Sequence, residues 1–348
     1  MISNELPFMS VIIPTLNTVK TVKKAIDAVL IQKYPKDKFE IIVVDGGSSD
    51  GTYEILQQYP VKLILQTNDF TGDSGARNMG AISAKGKIIV TTDADDEVDK
   101  NWLINIAQGY NRSDVGGVIG SSHIVYDKDN FQEKIFAELF ICFRGSDKVK
   151  STHNNNDRLK TNISIGPNQS FRKDVFFRIG GFDMGLSSGM DLDILWRIEK
   201  AGYKINFVNN AVVYKKSRAN LKEYFRQAYT RSRQGAIIYC KHPQKIYFNY
   251  ILNILFVPTI VFLIFMWVYS DFYVFLILSF LASFSPIIYF SLRLMKTRQI
   301  INNWSDRFII LIIGYFTMIV SSISILIGFY DYLLTYNEKL LKDRKGLQ

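Results

Sequence analysis

The chain has 348 residues, 48% of them hydrophobic, enough for about two domains and a sizeable core. Its formal charge of +10 comes with no nucleic-acid-binding motif, so nucleic acid is not an expected partner. The two cysteines, Cys142 and Cys240, have neither metal-ligand spacing nor the density of a disulfide framework.

The opening MISNELPFMS lacks a basic region followed by an apolar stretch, so no cleavable signal peptide is expected and the first domain should stay in the cytosol. Val11-Ile12-Ile13 is a short apolar run ended by Pro14. A helical pattern follows from Thr18, with Val19, Val22, Ile26, Val29 and Leu30 on one face. Residues 40–45 (Glu40 to Asp45) form a continuous apolar strand of the kind buried in a parallel sheet. Gly46-Gly47 breaks it, and Ser48, Ser49 and Asp50 are candidates to cap a helix carrying Tyr53, Ile55 and Leu56. The alternation repeats: strand 61–65, helix 76–84, strand 87–92, helix 102–110, strand 115–125. This order predicts an α/β fold, a mostly parallel sheet with helices on both faces. Ligands of such sheets bind beyond the carboxyl ends of the strands, which singles out Thr15, Asn17, Asp45, Asp93 and Asp95. The polar stretch 144–161, with His153-Asn-Asn-Asn156, reads as a loop, either a flap over the site or an inert insertion.

Cations then gather. Lys215, Lys216, Arg218, Lys222, Arg226, Arg231, Arg233, Lys241 and Lys245 stand against the single acid Glu223, interleaved with Tyr224, Phe225, Tyr229 and Tyr239. Such a stretch, 219–250, suits a membrane interface, with rings in the headgroup layer and cations toward water or phosphate. Three uncharged runs follow at 251–269, 272–290 and 308–329, each near the roughly 20 residues that cross a hydrocarbon core of about 30 Å. Pro258 and Pro286 are candidate kinks. The expected organisation is a catalytic domain over 1–218, an interfacial segment over 219–250, a transmembrane region over 251–329 and a tail over 330–348. The basic loop 291–307 suits the cytosol, but so does the tail, and three spans put the two on opposite sides. An integral protein of a prokaryotic plasma membrane is expected.

The strongest local signal is Thr91-Thr-Asp-Ala-Asp-Asp96, at the end of a strand. Asp93 and Asp95 are two residues apart, and if the chain turns there both can face one divalent cation. Hard carboxylate oxygens suit Mg²⁺ or Mn²⁺, which bridge to substrate phosphates and neutralise a departing diphosphate. Acids at a strand end also serve as plain turn formers. Asp45 can accept hydrogen bonds from a nucleobase or ribose, with Gly46 and Gly47 letting the backbone come close; a turn with a helix cap is the alternative. In Gly72-Asp-Ser-Gly-Ala-Arg-Asn-Met-Gly80, Arg77 can reach an anionic diphosphate, although neither a P-loop nor a dinucleotide glycine triplet is present.

Together with Val11-Ile-Ile-Pro-Thr-Leu-Asn17, Gly180-Gly-Phe-Asp183 and Asp191-Leu-Asp-Ile-Leu-Trp-Arg197, these motifs follow one another in the order of a known family. The chain resembles the inverting glycosyltransferase family 2, whose members share the GT-A nucleotide-diphospho-sugar transferase fold. The resemblance implies that Thr15, Asn17, Asp45 and Arg77 hold the nucleotide of a UDP- or GDP-sugar. It implies that Asp93 sits against the ribose or the metal, and that Asp95 ligates Mn²⁺ or Mg²⁺. The family's catalytic base falls on Asp191, which would take the acceptor hydroxyl's proton on the face opposite the leaving diphosphate. Asp191 opens a helical pattern, so a cap is its other reading. Three departures stand out. Met190 precedes the base where Glu is usual, and Tyr214-Lys215-Lys216 lies where many relatives carry His. Residues 226–231 do not fit the Gln-x-x-Arg-Trp motif of processive synthases. The expected activity is transfer of one sugar to a lipid-linked saccharide, with Arg231 and Arg233 on the carrier's phosphate. Direct transfer to polyprenyl phosphate, or a membrane scaffold that binds nucleotide-sugar without turnover, are the alternatives.

Overall fold

The computed structural model describes residues 6–125, 168–216, 220–246, 248–270 and 304–345, with isolated positions between 130 and 139 and between 274 and 282. The expected flap at 144–161, Cys142, the basic loop 291–307 up to Trp304 and most of the run 272–290 lie outside these residues. The chain divides into two compact units, one of Met1–Val125 with Arg144–Ser217, the other of Tyr126–Phe143 with Arg218–Gln348.

The first unit holds strands β1 (Met9–Thr15), β2 (Phe39–Asp45), β3 (Lys62–Leu65), β4 (Ile88–Thr91), β5 (Asp96–Val98), β6 (Val115–Val125), β7 (Gln169–Arg172) and β8 (Lys204–Lys216), with β-branched runs making β1, β2 and β4. Among the described residues they form one sheet, ordered β3-β2-β1-β4-β7-β6-β8-β5. The expected parallel arrangement holds across β3-β2-β1-β4 and between β6 and β8. Pairs β4–β7, β6–β7 and β5–β8 are antiparallel, so the sheet is mixed. Register is what builds the site: Thr15 lies beside Asp45, Thr91 beside Gln169, and Asp96 beside Lys215.

Successive side chains of β1 point to opposite faces. Val11 and Ile13 join Val43, Val90, Ile26 and Val29 of α1 (Val22–Leu30), and Trp102 and Ile106 of α4 (Trp102–Gly109) in one core. Ile12 faces α3 (Gly72–Ser83), where a Cβ on Gly80 would stand 2.6 Å from the Ile12 Cγ2. Only glycine lets helix and strand approach so closely. Helix α3 begins at Gly72, four residues before the expected Ala76, so Gly72 and Gly75 lie in its first turn. Helix α2 (Thr52–Leu56) has Gly51, at φ 94°, as its N-cap instead of Ser48, Ser49 or Asp50. Asp50 sits one residue earlier and still accepts from the Thr52 amide at 3.0 Å. Helices α5 (Lys173–Arg178) and α6 (Met190–Lys200) complete the unit.

The second unit contains α7 (Leu221–Lys241), α8 (Phe248–Ser270) and α9 (Trp304–Lys345). Asn220 caps α7, its side chain accepting from the Glu223 amide at 2.9 Å. The expected interfacial segment is thus mostly one helix, and it packs along α9. Thr317 reaches Tyr224 at 3.3 Å, and a Cβ on Gly328 would come within 2.2 Å of the Arg233 carbonyl oxygen. The Arg233 Nε donates to Asp331 at 2.6 Å. Phe136 stacks on Tyr224, ring centroids 5.1 Å apart. Within α9, Phe308–Leu334 is long and apolar enough to cross a membrane. The helix continues to Lys345, past the expected end of the span at Phe329. The apolar part of α8, Ile254–Tyr269, is shorter, with Pro258 inside the helix.

Candidate active site

Beyond the carboxyl ends of β1 and β2, two loops are fastened to each other. Asp45 is fully buried, and its carboxylate accepts four hydrogen bonds: from Thr15 Oγ1 at 3.1 Å, Ser48 Oγ at 2.6 Å, and the amides of Gly47 and Ser48 at 3.0 and 2.9 Å. That fills the acceptor capacity of a carboxylate. Asn17, in the left-handed region at φ 53°, accepts from the Ser49 amide at 2.9 Å and donates its own amide to Ser48 Oγ. The Val19 amide donates to Asp50. Thr15, Asn17 and Asp45 are therefore brought together, as a preformed rim. Ser48, which ties the three, was not legible as a site residue.

Beyond β4 the chain turns sharply, and carboxylate oxygens of Asp93, Asp95 and Asp96 lie within 4.8 Å of one another. Arg77 of α3 is 2% exposed and donates to Asp93 Oδ1 at 2.5 Å, with Nε 3.3 Å from Asp73. Its Nη1 is buried with no hydrogen-bond partner among the described residues. From β8, the Lys215 ammonium donates to Asp93 Oδ2 at 3.1 Å and to both Asp96 oxygens at 3.3 and 3.4 Å. Asp73, Asp96 and Lys215 thus join a site whose expected members here were Arg77, Asp93 and Asp95. Asp96 follows directly on the Asp93–Asp95 pair, and Lys215 lies in the Tyr214-Lys215-Lys216 stretch singled out as a departure from the family pattern; those were the available signals.

Burial pushes the Asp96 carboxyl up to about 7 despite Lys215. Burial also works against ionised Asp93, but Lys215 and Arg77 together hold its carboxyl below the usual range. Asp191 lies in the first turn of α6, and the cap is Gly189 at φ 76°, with no side-chain capping bond. Capping is therefore not its task. Burial raises its carboxyl to about 6, Arg77 pulls it down, and Asp93 and Asp73 push it up, all within electrostatic reach. Gln169 donates to the Asp191 carbonyl oxygen at 3.1 Å, tying the turn to β7. Met190, in place of the usual Glu, is buried with its sulfur 2.7 Å from the Ser74 hydroxyl. Asp193 and Arg197 pair with each other at 2.6 Å.

Among the described residues, Asp73, Asp93, Asp95, Asp96 and Asp191 outnumber the cations Arg77 and Lys215 that stand with them. A surplus of hard oxygen donors around a buried, incompletely bonded guanidinium fits a divalent ion such as Mg²⁺ or Mn²⁺ together with an anionic phosphate group.

A mixed sheet with an acidic cluster beyond its parallel strands is the architecture of GT-A glycosyltransferases. The likeness to a solved structure agrees: the mannosyltransferase PcManGT from Pyrobaculum calidifontis, in complex with GDP-Man and Mn²⁺, matches with a TM-score of 0.57. The match is 20% identical and covers 93% of this chain and 88% of that one. A family profile described as Glycosyl transferase family 2 fits residues 10–180. Glycosyltransferase AglE of Haloferax volcanii is 31% identical over 214 residues, 60% of this chain and 67% of the relative. A Methanococcus voltae enzyme is 24% identical over 249 residues, 63% of this chain and 70% of that one. Its name is dolichyl N-acetyl-alpha-D-glucosaminyl phosphate 3-beta-D-2,3-diacetamido-2,3-dideoxy-beta-D-glucuronosyltransferase. The chain belongs to glycosyltransferase family 2, and it is a glycosyltransferase.

Proposed function

We propose that the chain is an inverting transferase that moves one sugar from a UDP- or GDP-sugar to a lipid-linked saccharide, with Asp191 as base. The observation that carries this is the position of Asp191. It is half-buried, relieved of capping, and within the field of Arg77, Asp93 and Lys215. A carboxyl raised to about 6 is ionised at neutral pH yet basic enough to take a hydroxyl proton as the hydroxyl attacks. The acceptor saccharide is supported by the name of the Methanococcus voltae relative, which describes a dolichyl-phosphate-linked sugar.

Thr15, Asn17 and Asp45 form the rim for the nucleotide, and the Ser48 hydroxyl that now bonds Asp45 is the group a nucleobase or ribose would replace. Arg77 offers its unpartnered Nη1 to the diphosphate, and Asp93 stands beside it. Asp93 and Asp95 would hold Mn²⁺ or Mg²⁺, which supplies charge neutralisation for the leaving diphosphate. Arg231 and Arg233 are proposed to hold the carrier's phosphate, Arg233 by exchanging its Asp331 partner. The spans 251–269, 272–290 and 308–329 are proposed to anchor the chain in a prokaryotic plasma membrane, with residues 1–218 as a cytosolic catalytic domain.

The test is nucleotide release by full-length, detergent-solubilised protein across UDP-, GDP- and dTDP-sugars with Mn²⁺, with and without lipid-linked acceptor. Acceptor-stimulated release from one donor, abolished in Asp191→Asn while donor binding persists, is the expected result. Full rate in Asp191→Asn would remove the base. Donor binding with no release under any acceptor would favour the scaffold.

A further inference from the structure

Among the described residues, Lys215 is the one strong cation in the site that lies outside the motifs of the family resemblance, and its position is fixed by the backbone. Strand β5 pairs with β8 in a register that sets Asp96 directly opposite Lys215. Directly opposed residues of an antiparallel pair hold their Cβ atoms about 5 Å apart. Asp96 is 1% exposed, so it needs a partner, and Lys215 supplies one through both carboxylate oxygens. The same ammonium reaches the second oxygen of Asp93, whose first oxygen already bonds Arg77. Two of the three clustered carboxylates are thereby engaged by a compact point charge. Asp95, exposed, has no ion pair among the described residues.

We propose that Lys215 is a resident counter-cation that keeps the acidic cluster from holding a divalent metal by itself, so that metal and nucleotide diphosphate enter as a pair. This rests on the donor-site reading above. A fixed positive charge repels a second cation brought to the same oxygens, and in a partly buried site that repulsion is weakly screened. A diphosphate reverses the balance, because its negative charge offsets the ammonium and adds oxygen ligands. Metal and nucleotide then raise each other's affinity by the same factor. Lys215 is a positioning residue in this account: it acts through Asp93 and Asp96 and takes no part in proton transfer.

The experiment measures Mn²⁺ binding to the full chain by calorimetry and by electron paramagnetic resonance, with and without UDP or GDP. Wild type, Lys215→Met, Lys215→Gln, Lys215→Arg and Asp95→Asn are compared. Wild type should bind Mn²⁺ weakly alone and at least tenfold more tightly with the nucleotide. Lys215→Met should bind Mn²⁺ alone at least tenfold more tightly than wild type, with the nucleotide's effect correspondingly reduced. Lys215→Arg should resemble wild type. Lys215→Gln keeps a hydrogen-bond donor on Asp96 without the charge, and serves if the methionine variant does not fold. Mn²⁺ affinity unchanged or weakened in both uncharged variants would overturn the proposal. A separate result, nucleotide binding by none of the proteins and no effect of Asp95→Asn on Mn²⁺, would instead remove the donor-site reading beneath it.

Discussion

At the scale of single residues, Asp191 couples activity and stability with opposite signs. Its carboxyl sits at about 6 in the folded chain against an ordinary 3.8. The folded state therefore binds the extra proton in that interval, and stability gained from it is present below about 3.8 and lost as pH rises through about 6. At neutral pH the ionised side chain is a cost carried by the fold. Asp191→Asn should raise the melting temperature at pH 7, by differential scanning fluorimetry, while kcat drops by about 10²–10⁴, the usual worth of a general base. The pH profile of kcat/KM should lose activity on the acid side with a midpoint near 6, since only the carboxylate accepts a proton. Asp45 behaves differently. Its four hydrogen bonds mean that Asp45→Ala strips partners from Ser48, Gly47 and Thr15 together. Hydrogen bonds to charged groups contribute about 1.5–3 kcal/mol each, so the variant should unfold at markedly lower urea and bind nucleotide weakly. A wild-type denaturation midpoint would contradict the rim described above.

At the scale of elements, contacts between glycine and a neighbouring element define where helices can lie. Gly80→Ala places a Cβ 2.6 Å from Ile12 Cγ2 and should destabilise by about 1–3 kcal/mol, the range for overpacking. Ile12→Ala in the same chain should recover part of that loss, and a double-mutant cycle by chemical denaturation measures the recovery. Most of these elements were legible in the sequence, because short apolar runs and a 3.6-residue period are local signals. Strand β6 matches its expected bounds, and β1, β2 and α4 differ by a residue or a few. The start of α3 was not legible, since glycine at 72 and 75 argues for a loop and Thr71, the N-cap, makes no side-chain capping bond. The partnership of Lys215 with Asp96 joins residues 119 apart in the chain through an antiparallel pairing. No local pattern announces such a contact. Likewise, α7 reads as a surface helix from its cations, while its small and aromatic residues pack along α9.

At the scale of the whole molecule, composition contrasts a globular first part with an apolar remainder, and the structure divides into two compact units, with one division between Ser217 and Arg218. The segment Tyr126–Phe143, which belongs with the second unit, could not be assigned from sequence because it lies inside the stretch that builds the first. The apolar helix Phe308–Leu334 leads to a direct measurement. When membranes carrying the chain are washed with high salt or alkaline carbonate, the protein should stay in the pellet and be released by detergent. Release by salt alone would point to attachment through the cations of α7, whose attraction to anionic headgroups is screened.

The order of the sheet has a consequence for how the protein behaves when crowded. Among the described residues, its two outermost strands are β3 and β5, of four and three residues. Adding a foreign strand to a sheet requires a long flat row of unused amides and carbonyls, and strands this short offer little of one. An eight-stranded sheet would ordinarily be the part of a chain most prone to fibre growth. Here the exposed apolar rows of α8 and α9 are the larger hazard, so self-association should yield to detergent more readily than to agents that break backbone hydrogen bonds.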